Sequence, residues 1–98
     1  LPPFGRLAAV IVSGADKAEA EAYARTFARA APPTDEVQIL GPAEAALAVL
    51  RGRYRFRLLA RCARGVDLQG YLRAWLAAAP RTRGSVRCMV DVDPQSFL

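Results

Sequence analysis

From Arg53 to Cys62 the sequence alternates almost strictly, with Tyr54, Phe56, Leu58, Ala60 and Cys62 on one parity and Arg53, Arg55, Arg57, Leu59 and Arg61 on the other. Successive side chains of an extended strand point to opposite faces, so these ten residues read as a strand with an aromatic, apolar face and an arginine face. The apolar face needs a cover, and the arginine face is left toward solvent or a partner.

Other segments supply that cover. Leu7 to Val12 is a short apolar run bounded by Gly5 and Ser13-Gly14, which fits a strand buried on both faces at the middle of a sheet. Asp16 stands three residues before Glu19, a capping-box arrangement at a helix start, and Ala20, Tyr23, Ala24, Phe27 and Ala31 then recur at helical spacing until Pro32-Pro33. Val37 to Leu40 reads as a strand ended by Gly41-Pro42, and Ala43 to Leu50 as a connector, either a helical turn or a packed loop. Asp67 can cap a second helix carrying Leu68, Leu72, Trp75, Leu76 and Ala79 on one stripe, up to Pro80. Val86, Cys88, Val90 and Val92 alternate with Arg87, Met89 and Asp91 in a last strand closed by Asp93-Pro94.

The order is therefore β-α-β-β-α-β, an α+β fold. Two helices covering one face of four strands give a two-layer split βαβ sandwich, ferredoxin-like or ribosomal-protein-like. At 98 residues the chain fits one domain, 1–98, with one core. Leu1-Pro2-Pro3-Phe4 offers neither an initiator Met nor the grammar of a signal peptide, so a piece of a longer protein is expected. No stretch approaches the roughly 20 apolar residues of a membrane span.

Charge is unevenly distributed. Residues 1–50 carry net −2 and residues 51–98 net +7, with ten arginines in the second half. Arginines two apart on one strand face stand about 6.6 Å from each other, close enough for several to meet a single phosphate backbone, and each guanidinium is a planar donor fork suited to phosphate oxygens. Arg51, Arg53, Arg55, Arg57 and Arg61, with Arg64 just beyond, are thus the candidate nucleic-acid-binding residues. The bland alternative is a solvated sheet face whose charges discourage edge pairing. Arg51-Gly52-Arg53-Tyr54-Arg55-Phe56 has the letters of the RNP1 motif but the wrong phase, since arginines occupy the face where that motif displays aromatics. Contact with the backbone, independent of base sequence, is the expectation.

Catalysis is not expected of this chain. It has no histidine, no phosphate-cradling Gly-rich loop, and no Asn for an acylphosphatase-like site on the same topology. Asp91 and Asp93 share a strand parity and could hold a cation, but two carboxylates before a proline more commonly end a strand. Cys62 and Cys88 lack zinc-ligand spacing and fit core positions on two strands separated by strand one, roughly 9 to 10 Å apart and beyond disulfide reach. Neither a metal nor a cofactor is expected.

Four landmarks carry a resemblance: Leu1-Pro2-Pro3-Phe4, Leu40-Gly41-Pro42, Arg51-Gly52-Arg53-Tyr54-Arg55 and Asp91-Val92-Asp93-Pro94. In this order and spacing the chain resembles the C-terminal domain of the PriA family of bacterial replication-restart helicases, the primosomal proteins N′. The resemblance implies a non-catalytic accessory domain, in the bacterial cytoplasm, that follows an ATP-dependent helicase core and helps bind single-stranded or forked DNA. It also implies partners in that core, single-stranded DNA-binding protein and other primosome proteins. A competing reading is a protein-interaction module in which the same arginines receive the helicase core or the acidic tail of single-stranded DNA-binding protein. A third is a small-molecule regulatory domain with its ligand at a dimer interface.

Overall fold

A computed structural model describes residues 5–93 and shows the elements in the expected order: β1 (Arg6–Gly14), α1 (Lys17–Arg29), β2 (Val37–Leu50), β3 (Arg53–Cys62), α2 (Leu68–Ala78) and β4 (Arg87–Val92). The strands pair antiparallel in one sheet, in the order β2-β3-β1-β4. The landmark residues 1–4 and Pro94 lie outside the described residues.

Strand parity places the core on one side of the sheet. Ala8, Val10 and Val12 of β1 and Phe56, Leu58, Ala60 and Cys62 of β3 pack against Ala20, Ala24 and Phe27 of α1 and Leu68, Leu72 and Trp75 of α2. Both helices begin at an aspartate. Asp16 Oδ1 accepts from Glu19 N at 3.0 Å and Asp67 Oδ1 from Gly70 N at 2.9 Å, each satisfying an amide that the helix itself leaves open. Trp75 is fully buried, yet its indole N–H is not left unsatisfied, because it donates to Phe27 O at 2.7 Å. Two phenols tie the helices reciprocally. Tyr23 of α1 donates to Pro80 O beyond α2 at 2.6 Å, and Tyr71 of α2 donates to Pro32 O beyond α1 at 2.8 Å.

Two expectations need correction. Residues 43–50 are neither a helical turn nor a packed loop: β2 continues through Gly41-Pro42 to Leu50 and pairs with β3 to the hairpin end. Fourteen residues of β2 face ten of β3, and the surplus is taken up in irregularities between Leu40 and Ala43 and between Glu44 and Val49. The first contains Gly41, at φ +102, where a Cβ would come within 2.7 Å of Arg57 O, so only glycine allows the close approach. Pro42 lacks an amide donor, but the edge of a sheet tolerates it beside a bulge. The hairpin then closes on Arg51 and Gly52, whose φ values of 53° and 76° are those of a two-residue turn of the primed type. Alanine's helix propensity loses here because a segment this short cannot sustain a helix, whereas pairing with β3 satisfies its backbone.

β1 is also less enclosed than expected. Its helix side is buried, but on the other side only Ala9 is, and Leu7, Ile11 and Ser13 remain half-buried on an open face. β1 does separate the two cysteine strands, with Cys62 in register with Arg6 and Cys88 with Val12. Both thiols are free, and burial pushes that of Cys88 up to about 11.

Candidate nucleic-acid interface

The strand registers lay out the open face row by row. Leu40 of β2, Leu59 of β3, Ala9 of β1 and Asp91 of β4 form one row; Ala43, Arg57, Ile11 and Met89 form the next; Arg55, Ser13 and Arg87 form a third. The two central rows are mostly apolar, with Asp91 in one and Arg57 in the other. Cations gather toward the end where the β2–β3 hairpin turns and β4 begins.

At that end lies a shallow cleft of about 740 Å³, bounded by Ile11, Ser13, Leu50, Arg51, Arg53, Arg55, Thr82, Val86, Arg87, Cys88 and Met89. The arginines reach it by different routes. Arg51 is exposed in the hairpin turn, and Arg87, also exposed, opens β4 in register with Ser13. Arg53 is bound to the protein itself: its guanidinium donates to Ser13 O and Ser13 Oγ, both at 3.0 Å, and to Ser85 O. It thereby fastens the end of β1 to the segment leading into β4, a junction that Ser85 Oγ reinforces by accepting from Ala15 N at 2.9 Å. Arg55 Nη1 donates to Leu47 O at 2.9 Å, which holds its stem against the bulged part of β2.

The six nominated arginines are therefore not one row of equals. Arg51, Arg53 and Arg55 share the cleft. Arg57 stands midway along the sheet, opposite Ala43 and Ile11. Arg61 lies at the far end, where its Nε donates to Gln38 Oε1 at 2.7 Å, and Arg64 follows in the exposed loop after β3. Arg87 was not nominated from sequence. The clue was its place on the same parity as Met89 and Asp91, but only the pairing of β4 with β1 brings it beside the hairpin arginines.

Acids are placed away from the cleft. Asp91 is in register with Ala9, and Asp93 sits beyond the end of β4. The Asp93 carboxylate accepts from Leu7 N at 3.0 Å and from Arg6 Nη2 at 3.1 Å. The bond from the Leu7 amide, with that from Arg6, pulls its pKa below the ordinary 3.8. Asp93 thus locks the start of β1 to the end of β4.

The β2 arm of the hairpin differs in chemistry. Leu47 and Val49 are 45% and 55% exposed and do not line the cleft, whereas Leu50 at the tip, 42% exposed, does. None of the described helices is long and apolar enough to cross a membrane.

Comparison with known proteins adds a family. The model of the primosomal protein N C-terminal domain matches residues 1–95. The chain is 38% identical to replication restart protein PriA of Rickettsia conorii and 34% identical to that of Rickettsia prowazekii, in both cases over 97 residues that make up 99% of this chain and 15% of the relative. It is also 38% identical over 102 residues to a protein of Deinococcus radiodurans named probable replication restart protein PriA, covering 97% of this chain and 10% of that protein. The chain thus spans about 15% or less of the length of these relatives.

Proposed function

This chain belongs to the primosomal protein N C-terminal domain family, and from that premise we propose that it is an accessory domain of a replication-restart helicase that holds DNA by phosphate contacts at the hairpin end of its open sheet face. The observation that carries the reading is the convergence of Arg51, Arg53, Arg55 and Arg87 on one cleft, drawn from a hairpin turn and two strands on either side of β1. Like charges brought together repel one another in the folded state, and an anionic partner relieves that repulsion. Arg53 acts as the positioning residue, fixing the cleft wall through Ser13 and Ser85, while Arg51 and Arg87 present exposed guanidinium forks. The DNA contacted is single-stranded or forked, within the cytoplasm of a bacterium, and the motor that consumes ATP belongs to the rest of the parent chain.

A salt series with fluorescent single-stranded and forked DNA tests this. Arg51→Asn suits the turn because Asn tolerates its left-handed backbone, and it is combined with Arg87→Gln. Losing two phosphate contacts lowers the slope of log K against log salt by about 1.4 on a single strand. An unchanged slope and affinity in the double variant would remove this cleft from the reading.

A second reading rests on a different observation, the exposed Leu47 and Val49 of the hairpin arm. Exposed apolar residues on an arm fit docking against the remainder of the parent protein, the helicase core included, and since neither lines the cleft this docking is compatible with DNA there. An acidic tail of single-stranded DNA-binding protein would instead compete for the arginines. Its titration against bound DNA distinguishes the two ligands, because a tail that docks elsewhere leaves the anisotropy unchanged.

A further inference from the structure

Phosphate contacts alone leave half of the cleft unexplained. Besides its arginines, the cleft is walled by Ile11, Leu50, Val86 and Met89, and Met89 is 69% exposed on the open face. A purely phosphate-binding surface has no use for that wall. On β4 the open parity reads Arg87, Met89, Asp91, a cation, an apolar side chain and an acid at successive steps of about 6.6 Å. Met89 lies in register with Ile11, so the two apolar side chains are direct cross-strand neighbours beside Arg87.

We propose that the cleft takes one unpaired DNA nucleotide, its base laid against Met89 and Ile11 while its flanking phosphates meet Arg51 and Arg87. The proposal rests on the DNA reading above and deepens it. The volume of about 740 Å³ is within the range of about 300–1,000 Å³ that accommodates small-molecule-sized groups. A duplex keeps its base faces stacked inside and shows a protein only backbone and groove edges, so only an unpaired base can cover the apolar wall. Asp91, one step beyond Met89, repels a phosphate on that side and so sets the nucleotide's direction, with its phosphates toward the hairpin and its base toward the middle of the sheet. Met is a suitable wall for this purpose, being polarizable, unbranched and able to follow bases of different outline without selecting one. Single-strand binding of this kind is sequence-tolerant but requires a base to be present.

The test uses labelled oligothymidylate and an oligonucleotide of the same length with abasic sites at its central positions. Both carry the same phosphates. The abasic strand binds this chain about ten-fold more weakly, as expected for removing one base's worth of apolar contact. Met89→Ala weakens binding of the intact strand by a similar factor, shows no further loss with the abasic strand, and leaves the salt slope unchanged. Because Met89 is exposed, that variant keeps the fold, which a circular dichroism melt verifies. Equal affinity for intact and abasic strands would overturn the proposal while leaving the phosphate reading in place. Failure of both strands to bind would overturn the phosphate reading and the base site together.

Discussion

The two faces of the sheet are made from the same strands, one residue out of phase, and they are organised by opposite rules. On the helix side, packing decides each position: Leu58, Ala60 and Cys62 of β3 are fully buried, and the indole of Trp75 lies with its ring 4.6 Å from that of Phe27 and its N–H bonded to the Phe27 carbonyl. On the open side, charge decides. The apolar residues form a strip across Leu40, Leu59, Ala9 and Ile11, and Arg51, Arg53, Arg55 and Arg87 are gathered at the hairpin end of it, with Arg57 midway and Arg61 at the far end. The first face is costly to alter and is not expected to touch a partner. The second should be cheap to alter and should be read by one.

The sharpest way to break this contrast is to attack the helix side. Trp75→Ala should cost about 3–5 kcal/mol, the range for truncating a large buried aromatic, and it also removes the indole's hydrogen bond to the Phe27 carbonyl. Urea unfolding would measure it. The paired substitutions Arg51→Asn and Arg87→Gln, by contrast, should stay within about 0.5 kcal/mol of the parent, as exposed positions do. If the arginine variant were the more destabilised of the two, the open face would be a structural element and the division of labour would be wrong.

A smaller effect probes the junction of the two faces, the hairpin turn. Gly52 has a φ of +76°, with open space around the position a Cβ would take, so Gly52→Ala introduces backbone strain without a clash and should cost about 1 kcal/mol. Since Leu50 and Arg51 line the cleft, the same substitution should also weaken DNA binding. A stability loss with intact binding would show that the cleft does not depend on the turn.

Much of this was legible in the sequence, and the gaps have physical reasons. The alternation of β3 gave both of its faces, because a period of two survives any context. The aspartate caps marked both helices, because an amide left open at a helix start requires a partner. The second half of β2 was hidden because its evidence is not local. Ala43 to Leu50 has no period of two, its extra residues are absorbed by bulges, and it is a strand only because β3 lies alongside. Arg51-Gly52 was the one available clue, a two-residue turn that read as the opening of the arginine strand. The candidate site was legible as residue types but not as a place. A sequence counts arginines, whereas register alone shows that Arg61 and Arg64 lie far from Arg51 and that Arg87 stands near it.

The smallest effect tests the far end of the open face, where an acid serves the fold. Asp93 is held ionised by the Leu7 amide and by Arg6, so its pKa in the folded chain lies below 3.8. A group of this kind contributes stability that is fully present above its unfolded pKa and is lost as pH falls through the folded value. Asp93→Asn removes the titration and retains a side chain that accepts the φ of 49°. The parent should therefore be the more stable at neutral pH, by a small margin because the pair is exposed, and that margin should shrink as the pH drops below about 3.8. Added salt should shrink it as well. A margin that ignored both pH and salt would mean that Asp93 serves the junction of β1 and β4 through shape alone, and that the charge at this end of the sheet matters only by keeping phosphates away.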